Sequence, residues 1–447
     1  MASAAEQLAA SINFGAFSKA TELKKRLWFT LGALIVYRLG TYIPVPGIDP
    51  AVLGDVFNTN SRGLLGMFDM FSGGALSRMS MFALNVMPYI SSSIIMQLLT
   101  SISPTLEQLK KEGEQGRKKI NQYTRFGTVI LAAFQAYGLA IGLEGMTGSH
   151  GPAVLAPGLY FRLTTVLSLT GGTLFLMWLG EQVTARGVGN GVSLIIFSGI
   201  VARLPQAIAN TLELGRTGAI SSFVIVAVLV MAVAVVGAIV FIERAQRRII
   251  VQYPKRQMGS RVFGGDSSHL PLKLNASGVI PPIFASSLLL LPVTIAGFSG
   301  TQGPEWLSEI TAYLGHGRPL YMVGYVALIV FFCFFYSSIV FNPNDTAENL
   351  KKYGGYVPGI RPGKNTADYL SYILTRLTVI GAIYLSVVCV LPEILISQYS
   401  VPFYFGGTSL LIVVSVTMDT VAQIQAHLLA HQYEGLIKKS KLRGRRG

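Results

Sequence analysis

Long apolar stretches recur along the chain, separated by short polar or basic segments, and ten of them reach membrane-crossing length. A helix needs about 20 mostly apolar residues to cross about 30 Å of hydrocarbon, and it satisfies its own backbone hydrogen bonds on the way. The ten run approximately over 27–43, 79–101, 126–146, 163–183, 191–209, 220–242, 276–296, 320–341, 372–395 and 408–428. The pattern predicts an all-α polytopic membrane protein with two five-helix halves, 27–209 and 210–428, of inverted and pseudo-symmetric topology. A short segment, 1–26, precedes them and a basic tail, 429–447, follows. The first segment has no apolar core beside a small-residue cleavage site, so span one is expected to carry the address.

The second span of each half is irregular. Pro88 falls in span two and the pair Pro281–Pro282 in span seven. Proline removes a backbone donor and bends a helix, and matched breaks in inverted halves point to a transport path. The stretch 61–74 is apolar and bracketed by glycines, yet at about 20 Å as a helix it is too short to cross. It predicts an interfacial helix or a re-entrant segment that plugs a cavity.

Composition agrees with the pattern: 51% of residues are hydrophobic and 13% charged, against about 25% charged in soluble proteins. The net charge of +15 is unevenly spread. Counting Arg376 at the mouth of span nine, 29 of the 36 Lys and Arg fall on the face that carries both termini. The exceptions are Arg38, Arg62, Arg78, Arg162, Arg203, Arg216 and Arg318. The positive-inside bias therefore predicts that both termini lie in the cytoplasm. Two basic cytoplasmic connections, 243–273 and 342–371, exceed simple turns; their charge suits anionic membrane lipid or an acidic or RNA-bearing partner.

The chemistry of enzymes and pumps is missing from the pattern. The string 359–365 is one residue short of a phosphate loop and lacks its hydroxyl, and the glycines at 187, 189 and 191 join two spans instead of a strand and a helix. His427, His431 and Glu434 could share a helical face, but without the Glu of a His-Glu-x-x-His motif they read as an exposed helix tail. Cys333 and Cys389 lie in apolar runs. Glu181 and Asp419 are acidic groups of the spans and belong to no carboxylate cluster, which disfavours a secondary transporter for a small solute. No catalytic residue, metal or cofactor is expected.

Several strings, in order and at their spacing, carry a resemblance over nearly the whole length: Ile43-Pro44-Val45-Pro46-Gly47, Met70-Phe71-Ser72-Gly73-Gly74-Ala75-Leu76, Met87-Pro88-Tyr89-Ile90-Ser91 and Arg186-Gly187-Val188-Gly189-Asn190-Gly191. They continue with Glu243-Arg244-Ala245-Gln246-Arg247-Arg248, Leu270-Pro271-Leu272-Lys273, Val357-Pro358-Gly359-Ile360-Arg361-Pro362-Gly363 and Pro402-Phe403-Tyr404-Phe405-Gly406-Gly407-Thr408-Ser409. The chain resembles the SecY family, the channel subunits of the bacterial general secretion machinery. The resemblance implies a pore at the centre of the ten helices that conducts unfolded preproteins across the cytoplasmic membrane and releases apolar segments and signal sequences sideways. It implies a waist of Val86, Ile90, Val192, Ile196, Ile280 and Ile412. It makes 61–74 a plug, with Leu64, Leu65, Met67, Phe68, Asp69, Met70 and Phe71, and places the breaks at Pro88, Pro281 and Pro282 in a lateral gate. It assigns contacts with the motor ATPase SecA or the ribosome to Arg361, Arg247, Arg248, Lys255 and Arg256, and adds the partner subunits SecE and SecG.

Overall fold

The computed structural model describes residues 20–49, 52–54, 69, 72–145, 147–148, 151–218, 221–253, 256–258, 261–263, 267–299, 318–399 and 407–443. Within these, the side chains of 147–148, 214, 222, 256–258, 261–263, 290–299, 393, 395–399 and 431–443 are not described. In chain order the main elements are α1 (Thr21–Gly40), α2 (Met87–Ile102), α3 (Pro104–Lys111), α4 (Glu114–Glu144), β1 (Thr147–Gly148), β2 (Gly151–Pro152), α5 (Leu159–Arg186), α6 (Gly191–Arg216) and α7 (Ser222–Arg244). They continue with β3 (Gln246–Gln252), β4 (Arg256–Met258), β5 (Arg261–Phe263), β6 (Ser267–Lys273), α8 (Ile280–Ser299), α9 (Pro319–Val340), α10 (Pro343–Lys352), α11 (Lys364–Tyr399) and α12 (Gly407–Arg443).

Every expected span overlaps one of these helices, and seven of the described helices are long and apolar enough by themselves to cross a membrane. The first span carries charges at its start, and the second is only 16 residues long as a helix. α7 shows the solvent most plainly. Phe223, Val226, Val230, Val233 and Phe241 are all exposed along it, and an all-round apolar helix is stable only where lipid or protein surrounds it.

The chain divides into two compact units, one of 1–206, 291–311 and 416–447, the other of 207–290 and 312–415. In the first, α4 and α5 form an antiparallel hairpin clamped at both ends by arginine–carboxylate pairs. Arg125 holds Glu181 through two bonds of 3.0 and 2.6 Å, and Arg162 holds Glu144 through bonds of 2.6 to 3.1 Å. Glu144 also accepts from the Gly158 N–H at the start of α5 (3.0 Å). The two-toothed geometry fixes register as well as charge. Against this hairpin lies a core of Val45, Leu53, Met79, Leu84, Ala140 and Leu169.

Small residues let the backbones touch. A Cβ added at Gly172 of α5 would overlap the Met81 carbonyl oxygen, whereas one added at Gly171 would meet nothing within 4 Å. Gly172→Ala should therefore cost about 1–3 kcal/mol, the usual range for overpacking, and Gly171→Ala should cost almost nothing. Thermal unfolding of the two variants in detergent checks the contrast.

In the second unit α9 and α11 pair through Ser337 and Thr378 (2.9 Å), and Phe284 of α8 meets Phe332 edge-on with ring centres 5.6 Å apart. Tyr325 of α9 shares a buried 2.6 Å hydrogen bond with Thr408 of α12.

Candidate functional site

In both proline-bearing spans the helix starts late. Residues 81–86 are turns, Asn85 takes a φ of +51°, and α2 begins at Met87 with Pro88 in its first turn. In the same way 276–279 are turns and α8 begins at Ile280, with Pro281 and Pro282 next. The first N–H groups of a helix have no internal acceptor, so a proline costs nothing there that it would cost in mid-helix. The expected interruption is thus a helix N-terminus placed inside a span, twice.

Three of the six waist candidates, Val86, Ile90 and Ile280, sit at these starts. In the first unit Val86 caps α2 and Ile90 lies one turn on, both buried, joined by the Ile90 N–H to Val86 carbonyl bond (3.0 Å). Val192 and Ile196 are likewise one turn apart at the start of α6; Ile196 is buried, and the half-buried Val192 rests its Cγ2 beside Gly180 of α5. In the second unit Ile280 opens α8, half-buried, and Ile412 is buried in α12. Of the plug candidates only Asp69 is described; Leu64, Leu65, Met67, Phe68, Met70 and Phe71 lie outside the described residues, as does Lys255.

The glycine loop 187–191 holds no room for a cofactor's phosphates, because side chains already take its N–H groups. Val188 donates to Thr30 of α1 (3.1 Å), Gly189 to Gln423 of α12 (2.8 Å) and Gly191 to Thr184 (2.8 Å), while Asn190 caps α6 through Val192. A φ of +91° at Gly189 makes the turn. The loop is a clasp joining spans one, four, five and ten at one end of the first unit. Among the described residues no group of three His, Cys, Asp or Glu could hold a metal; the side chains of His431 and Glu434 lie outside them.

The connection 243–273, read from the sequence as a loop, contains an antiparallel hairpin. β3 pairs with β6 from Gln246↔Lys273 to Gln252↔Ser267, and within its bend the shorter β4 pairs with β5. Tyr356 of the second long connection adds to the hairpin edge, exchanging both backbone bonds with Gln252 at 2.9 Å. Ile249 and Leu272 from the hairpin, Val357 from the loop, and Leu370, Ile373 and Leu377 from α11 share one buried core. Both basic connections are therefore a single packed body.

Arg361 projects from that body on a shaped turn. Val357-Pro358-Gly359-Ile360 is a type II turn: proline presets the second position, Gly359 takes a φ of +82°, and the Ile360 N–H donates to the Val357 carbonyl (3.1 Å). The Arg361 carbonyl is held in turn by Thr366 Oγ1 (2.9 Å), leaving its side chain exposed beside exposed Lys364. Arg247 and Arg248 are exposed on β3; Arg256 lies on β4, its side chain outside the described set. On the short helix α3 of the first unit, Lys111 bonds Glu107 and holds that carboxyl below its ordinary range. The sequence reading missed the hairpin, because its alternation is short and broken by Pro271, and missed every long-range ion pair, because partners 56 or 134 residues apart leave no local signal.

The SecY family model matches residues 80–421 of this chain. The chain belongs to the SecY family. It is 56% identical over 429 residues to the protein translocase subunit SecY of Rickettsia conorii, covering 96% of this chain and 99% of that one. Its fold is shared with a solved protein-conducting channel (TM-score 0.66, 17% identity, 91% of this chain and 92% of that one). It is shared also with Sec61 in the canine ribosome–channel complex from the endoplasmic reticulum (TM-score 0.62, 16% identity, 91% and 92%). The ten-helix layout of the chain fits the SecY fold, and the multi-pass membrane reading stands with it.

Proposed function

We infer that the chain is the central channel subunit of a Sec-type translocase, conducting unfolded preproteins across the cytoplasmic membrane and releasing apolar segments into the bilayer. The observation that carries this reading is kinship over almost the full length of both this chain and its translocase relative. The halves 27–209 and 210–428 would enclose the path, with both termini in the cytoplasm as the charge bias favours.

The chemistry suits passive conduction. Branched aliphatic side chains at Val86, Ile90, Val192, Ile196, Ile280 and Ile412 can close around an extended polypeptide without selecting a sequence, and a narrow apolar constriction dewets and resists ions. Lateral exit through helices that begin at Pro88 and at Pro281–Pro282 needs no catalyst, since a run of about 20 apolar residues already prefers lipid. The stretch 61–74 is the plug of this reading. Energy comes from partners: SecA or a ribosome on Arg361, Arg247, Arg248, Lys255 and Arg256, with SecE and SecG completing the channel. Exposed arginines on a rigid body suit both an acidic protein and an RNA surface.

The test is import of a signal-bearing precursor into proteoliposomes holding this chain with SecE and SecG, driven by SecA and ATP. Protease-protected precursor is expected. Uptake of a small solute with no precursor import would instead make the protein a secondary transporter.

A further inference from the structure

Three of the seven basic residues left outside the cytoplasmic set meet at one turn of the first unit. Arg38 and Arg78 both donate to the Gly73 carbonyl, at 3.1 and 3.3 Å, and both lie over the Tyr42 ring. Arg203, from α6, pairs with the Asp69 carboxylate and donates to Ser77 Oγ (3.0 Å). Asp69 is buried and fully engaged. Its Oδ1 accepts from the Ser77 N–H (2.7 Å), and its carbonyl accepts from the Gly74 N–H (2.8 Å) and Ser72 Oγ (3.1 Å).

The glycines of the turn allow it to lie flush on α6. Gly73 and Gly74 take φ of +66° and +83°; a Cβ at Gly73 would come within 2.8 Å of Gly199 Cα, and one at Gly74 within 2.7 Å of the Arg203 guanidinium. Apolar groups would hold such a buried contact at least as well as an ion pair does. A pair differs in one respect: its attraction falls about fourfold between the effective dielectric of a protein surface and bulk water. It grips while dry and loosens when wetted.

We propose that Arg203 is a positioning residue which, with Asp69, forms a charge latch fastening Asp69 and the 72–78 turn to span five, firm in the resting channel and released when water and a polypeptide enter. Its effect on gating rests on the reading of 61–74 as the plug; the fastening itself does not. Losing the latch frees the turn and lowers the barrier that excludes defective signals.

The test uses the chain with SecE and SecG in proteoliposomes and compares Arg203→Gln, Arg203→Lys, Asp69→Arg and the double swap Asp69→Arg with Arg203→Asp. Amide hydrogen exchange of a peptide spanning 72–78 reads the turn; import of precursors with intact and defective signals reads the gate. Arg203→Gln should speed exchange about tenfold or more, as expected for stranding a buried charge, and raise import of the defective precursor several-fold. Arg203→Lys should keep most of the protection, and the double swap should recover what Asp69→Arg loses. Unchanged exchange in Arg203→Gln, or a swap no better than Asp69→Arg, overturns the latch. Faster exchange that the swap reverses, with defective-signal import unaltered, upholds the fastening and removes the plug reading instead.

Discussion

Arg361→Glu should abolish SecA-driven import while leaving the chain inserted and folded. The side chain is exposed and its carbonyl is pinned by Thr366, so reversing its charge disturbs no packing. The backbone that presents it is set by Pro358, by Gly359 at φ +82° and by the Val357 side chain buried beneath. Removing a central charge of a contact costs about 2–5 kcal/mol, and opposing like charges adds repulsion, so the rate at limiting motor concentration should fall at least about a hundredfold. Import at increasing SecA measures it, with thermal unfolding of the variant as control. A normal rate would take Arg361 out of the docking face. Arg361→Lys should retain part of the activity, keeping the charge but not the planar fork.

The second large effect concerns the waist. Replacing Ile90 and Ile280 together with glycine should raise the resting ion conductance of the channel in planar bilayers by about an order of magnitude or more, because a wider constriction stays wet. Ile90 is buried one turn into α2, and Ile280 is the first residue of α8, so each deletion empties space at a helix start. Losing the buried Ile90 side chain costs a further ~2–5 kcal/mol of stability and losing the half-buried Ile280 less, so the measurement belongs at low temperature. Conductance equal to that of the unmodified channel would remove these two residues from the seal. The lipid-facing control Val233→Gly should leave conductance unchanged, since that side chain is exposed on α7.

A structural theme connects these sites. In both units the membrane-embedded backbone departs from helix just before a proline, and side chains close the polar account. Asn275 donates to Glu243 (2.7 Å) and to the Gly278 carbonyl (3.0 Å) and accepts from Ser277 (2.9 Å), so the turn before α8 is tied to the end of α7. In the first unit Ser80 Oγ accepts from the Phe82 N–H (3.3 Å) in the turns before α2. Irregular backbone survives at membrane depth only where protein satisfies it in this way.

The amino-acid sequence by itself marked the ten membrane-spanning segments, the bias of basic residues to one set of connections, and where two spans would break. These follow from hydropathy summed over about 20 residues, from charge counting and from proline, all local quantities. The string that carries Arg361 was legible as part of the family resemblance; that Pro358 and Gly359 make a turn ahead of it came from the structure. Only the tertiary structure decided that the two long connections are one β-hairpin body, that the breaks are helix starts, and that Glu181, Glu144 and Asp69 meet Arg125, Arg162 and Arg203. The place of the 187–191 glycines between two spans already argues against a cofactor loop, but only the structure showed Thr30 and Gln423 taking the loop's N–H groups. Each of these depends on residues from distant segments arriving together, and no window along the chain contains that information.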